Sequence, residues 1–296
     1  MKKMIGSYKN GNYTVLMFED GTKTRMNNLD NLTPDFPESI DMKISNRCNM
    51  GCLMCHEQSV PDGKLANLSH PLLDSLHPYT ELALGGGNVL EHPDLESFLC
   101  RMRSQKVVCN MTLHLNHFIE AYDYIRYLQE EELIHGVGVS INKKIDKTIS
   151  HMVASVPNAV VHTIAGIMPI EGYESLYDND IKLLILGYKY YGRGKEYVKH
   201  DGTNIMDRIY DLHINLSNMM QHFKLISFDN LALLQLRVKN MVDKDTWERC
   251  YMGDDGGYTM YIDMVEEKYA KSSVSDRVSI DSNKIEDLFN QVRCVG

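Results

Sequence analysis

No stretch of the chain approaches the roughly 18 consecutive apolar residues of a membrane-spanning helix, so no transmembrane helix is expected. The first residues, Met1 to Tyr8, contain no apolar signal core, and a cytoplasmic location is the expectation. There is no basic excess. The 31 Lys and Arg are outnumbered by 40 Asp and Glu for a formal net charge of −9, which disfavours a nonspecific nucleic-acid surface but leaves room for a local basic groove. The chain also lacks a P-loop, an HExxH, a Ser-His-Asp ordering and any internal repeat, which removes the chemistries and repeat architectures those patterns signal. Its seven cysteines are odd in number and fit a reducing compartment better than a disulfide framework. What remains is an ordinary globular composition, 43% hydrophobic and 24% charged over 296 residues, enough for one large domain or one with an appendage. The 18 Met and 17 Tyr are unusual in number, and scattered Met is adaptable core packing.

Three of the cysteines, Cys48, Cys52 and Cys55, crowd into a CxxxCxxC segment directly after the apolar strand pattern Met42-Lys43-Ile44-Ser45. Cysteine thiolates hold iron–sulfur clusters, and a short loop of closely spaced Cys can wrap a four-iron cubane. Three ligands for four corners leave one iron open, as a catalytic metal keeps one open position. A zinc knot is the competing reading, but zinc normally takes paired spacings and four ligands; His56, adjacent to Cys55, would chelate the same ion only with strain.

CxxxCxxC closing a first strand resembles the signature of the radical S-adenosylmethionine (SAM) superfamily. The resemblance implies that Cys48, Cys52 and Cys55 hold one [4Fe–4S] cluster, and that the open iron is chelated by the amino and carboxylate groups of SAM. It also implies reductive cleavage of SAM to a 5′-deoxyadenosyl radical that abstracts hydrogen from a substrate, with electrons from a donor such as flavodoxin or ferredoxin. One departure is Met54, where the family usually places an aromatic residue; methionine can pack there.

Along the chain, Asn10-Gly11 and Asp20-Gly21 are tight-turn dipeptides flanking the alternating Tyr13, Val15 and Met17, so residues 1–38 read as a β-meander and a Pro-punctuated linker. From residue 39 to 230, short strands expected at 41–46, 80–84, 107–113, 136–141, 159–165 and 181–187 alternate with helical patterns such as 94–105 and 118–132. A helix near 203–220 and a strand near 223–228 follow. The fold class is α/β, and the resemblance implies a partial (β/α)6 TIM-like barrel with its site at the C-terminal strand ends. Residues 231–296 read as a C-terminal extension: a hairpin turned at Asp255-Gly256 and an amphipathic helix over 282–293. Peptide-modifying relatives carry extensions that open with a Cys and bind auxiliary clusters through several more, but after Cys250 only Cys294 remains here, so no second cluster is expected.

The candidate binding residues sit at strand ends. Gly85, Gly86 and Gly87 let backbone approach a ligand, and the stretch resembles the family's Gly-Gly-Glu-Pro segment that meets the SAM amino group; Gly86 and Gly87 align with its glycines, Asn88 replaces the Glu and Val89 the Pro, and Glu91 is a nearby substitute carboxylate. Asn116 fits a third-strand Asn, with His114 pointing into the barrel or capping the strand, and Ser140 and Asn142 end the fourth strand, where relatives bond the SAM ribose. Lys189 and Arg193, in the run Gly187 to Gly194, are the candidate catalytic residues, facing the cavity as a clamp for a carboxylate or phosphate. A peptide or protein substrate leads; a small molecule such as a nucleotide, or a nucleic-acid base, is the alternative. A non-catalytic iron–sulfur or zinc protein that senses redox state or binds a partner is the third reading.

Overall fold

The structure, a computed structural model, describes residues 3–28 and 31–294. Its first element is the expected meander, an antiparallel sheet of β1 (Met4–Asn10), β2 (Tyr13–Phe18) and β3 (Lys23–Met26). Gly11 turns β1 into β2 at φ +56°, open to glycine at little cost. Tyr13, Val15 and Met17 form its buried face. The Asn10 side chain accepts from the Asp35 and Phe36 amides, Tyr13 Oη donates to Glu38 at 2.6 Å, and Lys23 pairs with Glu81 at 2.6 Å. Glu38 and Glu81 lie where the first two barrel strands begin, so the meander is pinned to the N-terminal end of the barrel. The site lies at the other end.

Seven strands follow: β4 (Ser39–Ser45), β5 (Glu81–Gly86), β6 (Val108–His114), β7 (Gly136–Ser140), β8 (Ala159–Ile164), β9 (Lys182–Leu186) and β10 (Leu225–Phe228), each parallel to the next. Helices α1 (Leu95–Ser104), α2 (Leu115–Glu120), α3 (Tyr122–Glu130), α4 (Lys147–Ala154), α5 (Ile170–Glu174) and α6 (Arg193–Met219) make the crossovers, and α7 (Asn230–Gln235) and α8 (Lys244–Cys250) come after β10. The helix expected over 118–132 is two, because Ala121 leaves helical geometry at φ −108°, ψ 19°. Likewise α6 starts earlier than expected and carries a non-helical residue at Asp201. Among the described residues no helix is long and apolar enough to cross a membrane.

The C-terminal hairpin forms later than Asp255-Gly256. Trp247 to Cys250 lie in α8, and the hairpin pairs β11 (Thr259–Asp263) with β12 (Lys268–Ala270), followed by β13 (Val278–Ser279) and α9 (Ile285–Cys294). Moreover, β11 joins the main sheet, parallel to β4, with Tyr261 opposite Asp41 and Asp263 opposite Lys43. The order is β10-β9-β8-β7-β6-β5-β4-β11-β12-β13, a partial TIM-like barrel whose parallel part extends one strand beyond β4. Local pattern could not reveal this pairing, because it joins segments about 220 residues apart.

Alternation along the strands sorts the two faces. Outward residues such as Met42, Leu84, Met111, Val139, Leu183 and Ile185 are sealed under the helices. Inward residues such as Ala83, Gly85, Asn110, Thr112, His162 and Leu184 keep access to solvent. The barrel therefore encloses an open lumen where a closed eight-stranded barrel would be filled by its side chains. Ile262 is fully buried on β11. Ile262→Ala is expected to lower the stability of the whole chain by about 2–5 kcal/mol in a single denaturant transition; a separate early transition would mean that β11 is not part of the barrel's cooperative unit.

Candidate functional site

The segment between β4 and β5 leaves the sheet at Ser45 and carries the three cysteines across the C-terminal end of the strands. Backbone bonds pin it at its root: Val60 N–H donates to Asn46 O at 3.0 Å, Cys48 N–H to Val60 O at 2.9 Å, and Ala66 N–H to Ile44 O at 3.0 Å. The loop after β9 braces its outer side. Arg193 N–H donates to Cys55 O at 3.1 Å and its guanidinium to Ser59 O at 2.9 Å. Gly192, at φ +54°, meets the loop so closely that a Cβ would sit 2.3 Å from His56 O. Met54 packs half-buried against the hydrophobic core, so methionine fills the place usual for an aromatic residue.

The glycine loop grips the same segment from the lumen side. Gly87 N–H donates to Ser45 O at 2.6 Å and Asn88 N–H to Arg47 O at 2.7 Å. A Cβ at Gly86, where φ is +105°, would lie 2.3 Å from Ser45 O; one at Gly87 would lie 2.2 Å from Arg47 O. A Cβ at Gly85 would meet nothing within 4 Å. The glycines thus divide: Gly86 and Gly87 serve close backbone approach, and Gly85 leaves open space at the lumen mouth. Asn88 caps its own short turn, its Oδ1 accepting from Leu90 N–H at 3.2 Å and its Nδ2 donating to Glu91 at 3.1 Å. Glu91 is exposed, and its charge is felt at Cys48.

The three thiols are unpaired and partly accessible. Burial pushes the Cys48 and Cys52 thiols up, Cys55 pushes both further, and Arg193 draws both down. Ionised together the three would repel one another, which a cationic centre relieves. Among the described residues no three His, Cys, Asp or Glu side chains close around a single metal ion. A four-iron cluster is far larger than one ion and takes one thiolate per corner, so three separated thiols on one braced loop fit it in kind and number.

Other strand ends face the same mouth. His114 Nδ1 accepts from Asn116 N–H at 3.2 Å, capping α2, while the Asn116 side chain stays exposed. His117, a residue the sequence did not single out, is buried with Nε2 3.1 Å from Asn49 Oδ1 in the cysteine loop. Ser140 and Asn142 are half-buried, with side chains that find no protein partner among the described residues. Ser140 sits in register between His114 and His162. The His162 ring lies where a Cβ on Gly138 would be, 2.2 Å from its Cε1, so that glycine seats the imidazole. Burial lowers His162 to about 4.

Lys189 and Arg193 are drawn apart in role. Arg193 is occupied with the cysteine loop. Lys189 Nζ reaches Ser273 Oγ at 2.7 Å and lies 3.4 Å from His56 Nε2. Its charge also reaches Asp41 and Asp229, which burial pushes up and Lys189 draws down. Beneath the loop lies a charge network unseen in the sequence: Lys43 pairs with Glu57 at 2.9 Å and Asp263 at 3.3 Å, and Arg277 pairs with both carboxylates. Burial pushes Glu57 up, but hydrogen bonds from His56 and Lys43 and the charge of Lys43 outweigh it and hold the carboxyl well below its usual range; His56 itself is drawn down by burial and Lys189. A lysine in the middle of a buried strand, Met42-Lys43-Ile44, was the available signal, since such a charge needs a partner. Two clefts elsewhere, lined by residues such as Tyr79 and Lys106 or Asn158 and Lys224, lie at the meander end and touch none of this.

The fold and loop define an incomplete (β/α) barrel with three thiols at the C-terminal ends of its strands. No family model matches the chain. Among solved structures, SuiB of Streptococcus suis superposes with a TM-score of 0.58 at 11% identity, over 99% of this chain and 87% of that one. SuiB bound to S-adenosylmethionine gives 0.57 at 11% identity, and SuiB bound to the precursor peptide SuiA gives 0.57 at 12%. In those two the match covers 87% of this chain but 64% and 65% of the other, so the chain spans less than two thirds of their length. At these identities the likeness is one of fold: the chain has the partial barrel that its resemblance to the radical SAM superfamily implied.

Two predictions follow from this geometry. Gly86→Ala is expected to cost about 1–3 kcal/mol through the clash with Ser45 and the strained φ, while Gly85→Ala leaves the melting temperature unchanged; equal effects in thermal melts would contradict the division. His162 is expected to titrate near 4 by NMR, below its unfolded value of about 6.5. The unfolded chain then binds the proton first, so stability is full above about pH 6.5 and falls by up to ~3 kcal/mol as the pH drops towards 4; His162→Gln should remove that part of the acid sensitivity.

Proposed function

We propose that this chain is a radical SAM enzyme acting on a peptide or protein, with one [4Fe–4S] cluster on Cys48, Cys52 and Cys55 and SAM beside it. The single observation that carries the proposal is the placement of three unpaired, partly accessible thiols on one braced loop at the mouth of an open lumen. When bound, the cluster and SAM supply an electron and a 5′-deoxyadenosyl radical able to take hydrogen from an unactivated carbon. The chain's own part is to hold and shape. Gly86, Gly87 and Asn88 keep the glycine loop against the cysteine loop, Gly85 leaves room beside it, and Ser140 and Asn142 offer unengaged polar groups across the mouth for the ribose. Asn88 Oδ1 retains acceptor capacity for an ammonium, and exposed Glu91 adds the charge that Asn88 lacks. Asn116 is exposed near the same strand ends.

A peptide is favoured over a nucleotide by the electrostatics around Lys189. The lumen there carries Asp41, with Asp229 and Asp255 close enough to raise it, and Arg193 is already engaged with backbone carbonyls. A single lysine among carboxyl groups is poorly matched to a multiply charged phosphate and suits a polar peptide side chain or a chain amine. The fold shared with SuiB, whose structures include one with a precursor peptide, supports the same choice. The number and odd count of free thiols suit a reducing cytoplasm, where flavodoxin or ferredoxin could serve as the electron donor.

The test is anaerobic loading with iron and sulfide, then SAM and a strong reductant, with 5′-deoxyadenosine read by mass spectrometry. About four irons per chain and 5′-deoxyadenosine are expected, both lost in Cys52→Ala. A loaded cluster that binds no SAM would contradict the enzyme and leave a non-catalytic iron–sulfur protein.

A further inference from the structure

The cysteine loop does not hold itself in place. Glu57, two residues beyond Cys55, is buried, and among the described residues only its partner His56 belongs to the loop. The others are Lys43 of β4 at 2.9 Å, Tyr261 Oη of β11 at 2.8 Å, and Arg277, just before β13, at 3.2 Å. Arg277 in turn pairs with fully buried Asp263, donates to Ser273 O at 3.2 Å, and lies 4.7 Å from the centre of the Tyr261 ring. Asp263 returns to Lys43 and also caps the turn after β11 by accepting from Val265 and Glu266 N–H.

The four charges balance, two cations against two carboxylates, and they come from β4, the cysteine loop, the end of β11 and the segment just before β13. Such a buried set adds little net stability over well-packed apolar residues, but removing one member leaves an uncompensated charge and is strongly destabilising. Its effect is therefore on conformation: the loop that carries the thiols has one seat relative to β4 and β11. Lys189 spans the same two parts, touching His56 on one side and Ser273 on the other.

We propose that the segment from Asp263 to Arg277 is part of the thiol site, and that Arg277 is a positioning residue that sets the cysteine loop through Glu57. This deepens the function proposed above and rests on it for the iron readout, but not for the loop's order.

The experiment compares wild type, Arg277→Gln, Arg277→Lys, Glu57→Gln and the Glu57→Gln/Arg277→Gln double variant. Amide hydrogen exchange is followed on the iron-free full chain, and retained iron is counted after anaerobic loading. In Arg277→Gln, exchange across residues 48–60 should rise about tenfold or more while the outer helices keep their protection, and over half of the iron should be lost. Arg277→Lys should recover part of both, and the double variant should be less than additive because its two changes break one pair. Faster exchange confined to residues 259–280, with iron retained, would overturn the proposal; so would additivity. Should Arg277→Gln not fold, Glu57→Gln and Arg277→Lys carry the same comparison. Should the wild type take up no iron, the cluster reading falls, and exchange in the loop still decides the role of Arg277.

Discussion

Two backbone hydrogen bonds, from Gly87 N–H to Ser45 O and from Asn88 N–H to Arg47 O, set the direction in which the cysteine loop leaves the sheet. They form only because no side chain stands between the strands' ends, where a Cβ on either Gly86 or Gly87 would collide with a carbonyl. Several features of the barrel mouth meet at that junction. The thiols start one residue beyond it, the Gly85 gap opens beside it, and the loop after β9 reaches over to clamp its far side through Arg193. A glycine-rich stretch that reads first as a ligand cradle is, in its second and third residues, a hinge pin.

The lumen owes its openness to a second constraint. The outward faces of the strands are fully used in packing against helices, with apolar side chains at nearly every outward position. The inward faces carry small or polar residues, Gly85, Gly138, Thr112 and Ser140 among them, which cannot fill the interior. Polar lining of this kind has a cost in hydration unless water or a ligand reaches it, which makes the interior suited to a polar occupant. Buried charge is matched where it occurs, between β4, β11 and the cysteine loop at this end and between the meander and Glu38 at the other.

Much of this was legible in the amino-acid order. Period-two and helical spacing located β4 to β10 and most crossovers, and the turn dipeptides located the meander, because those features depend on neighbouring residues. CxxxCxxC and the triple glycine were placed after the first and second barrel strands for the same reason, and they follow β4 and β5. What was hidden depends on contacts between distant segments. β11 beside β4, the Glu57–Arg277 pair and the seating of His162 over Gly138 each join residues whose proximity no local pattern encodes. Arg193 and Lys189 looked alike as cationic residues of one loop; the fold turns one onto the cysteine loop's backbone and the other towards Ser273 and the lumen. The hairpin was displaced for a simpler reason: Asp243 caps a helix through Trp247, so Asp255-Gly256 falls in a loop between that helix and β11.

At the centre stands the proposal that the three thiols hold a cluster whose open position faces the lumen and receives SAM. Electron paramagnetic resonance of the reduced, iron-loaded protein with and without SAM tests it most directly, because coordination at one iron alters the cluster's g-values and line shape. A spectrum that changes on adding SAM, and no longer does so when Gly85 is enlarged to valine, is expected. A well-formed four-iron signal that SAM leaves untouched would contradict it.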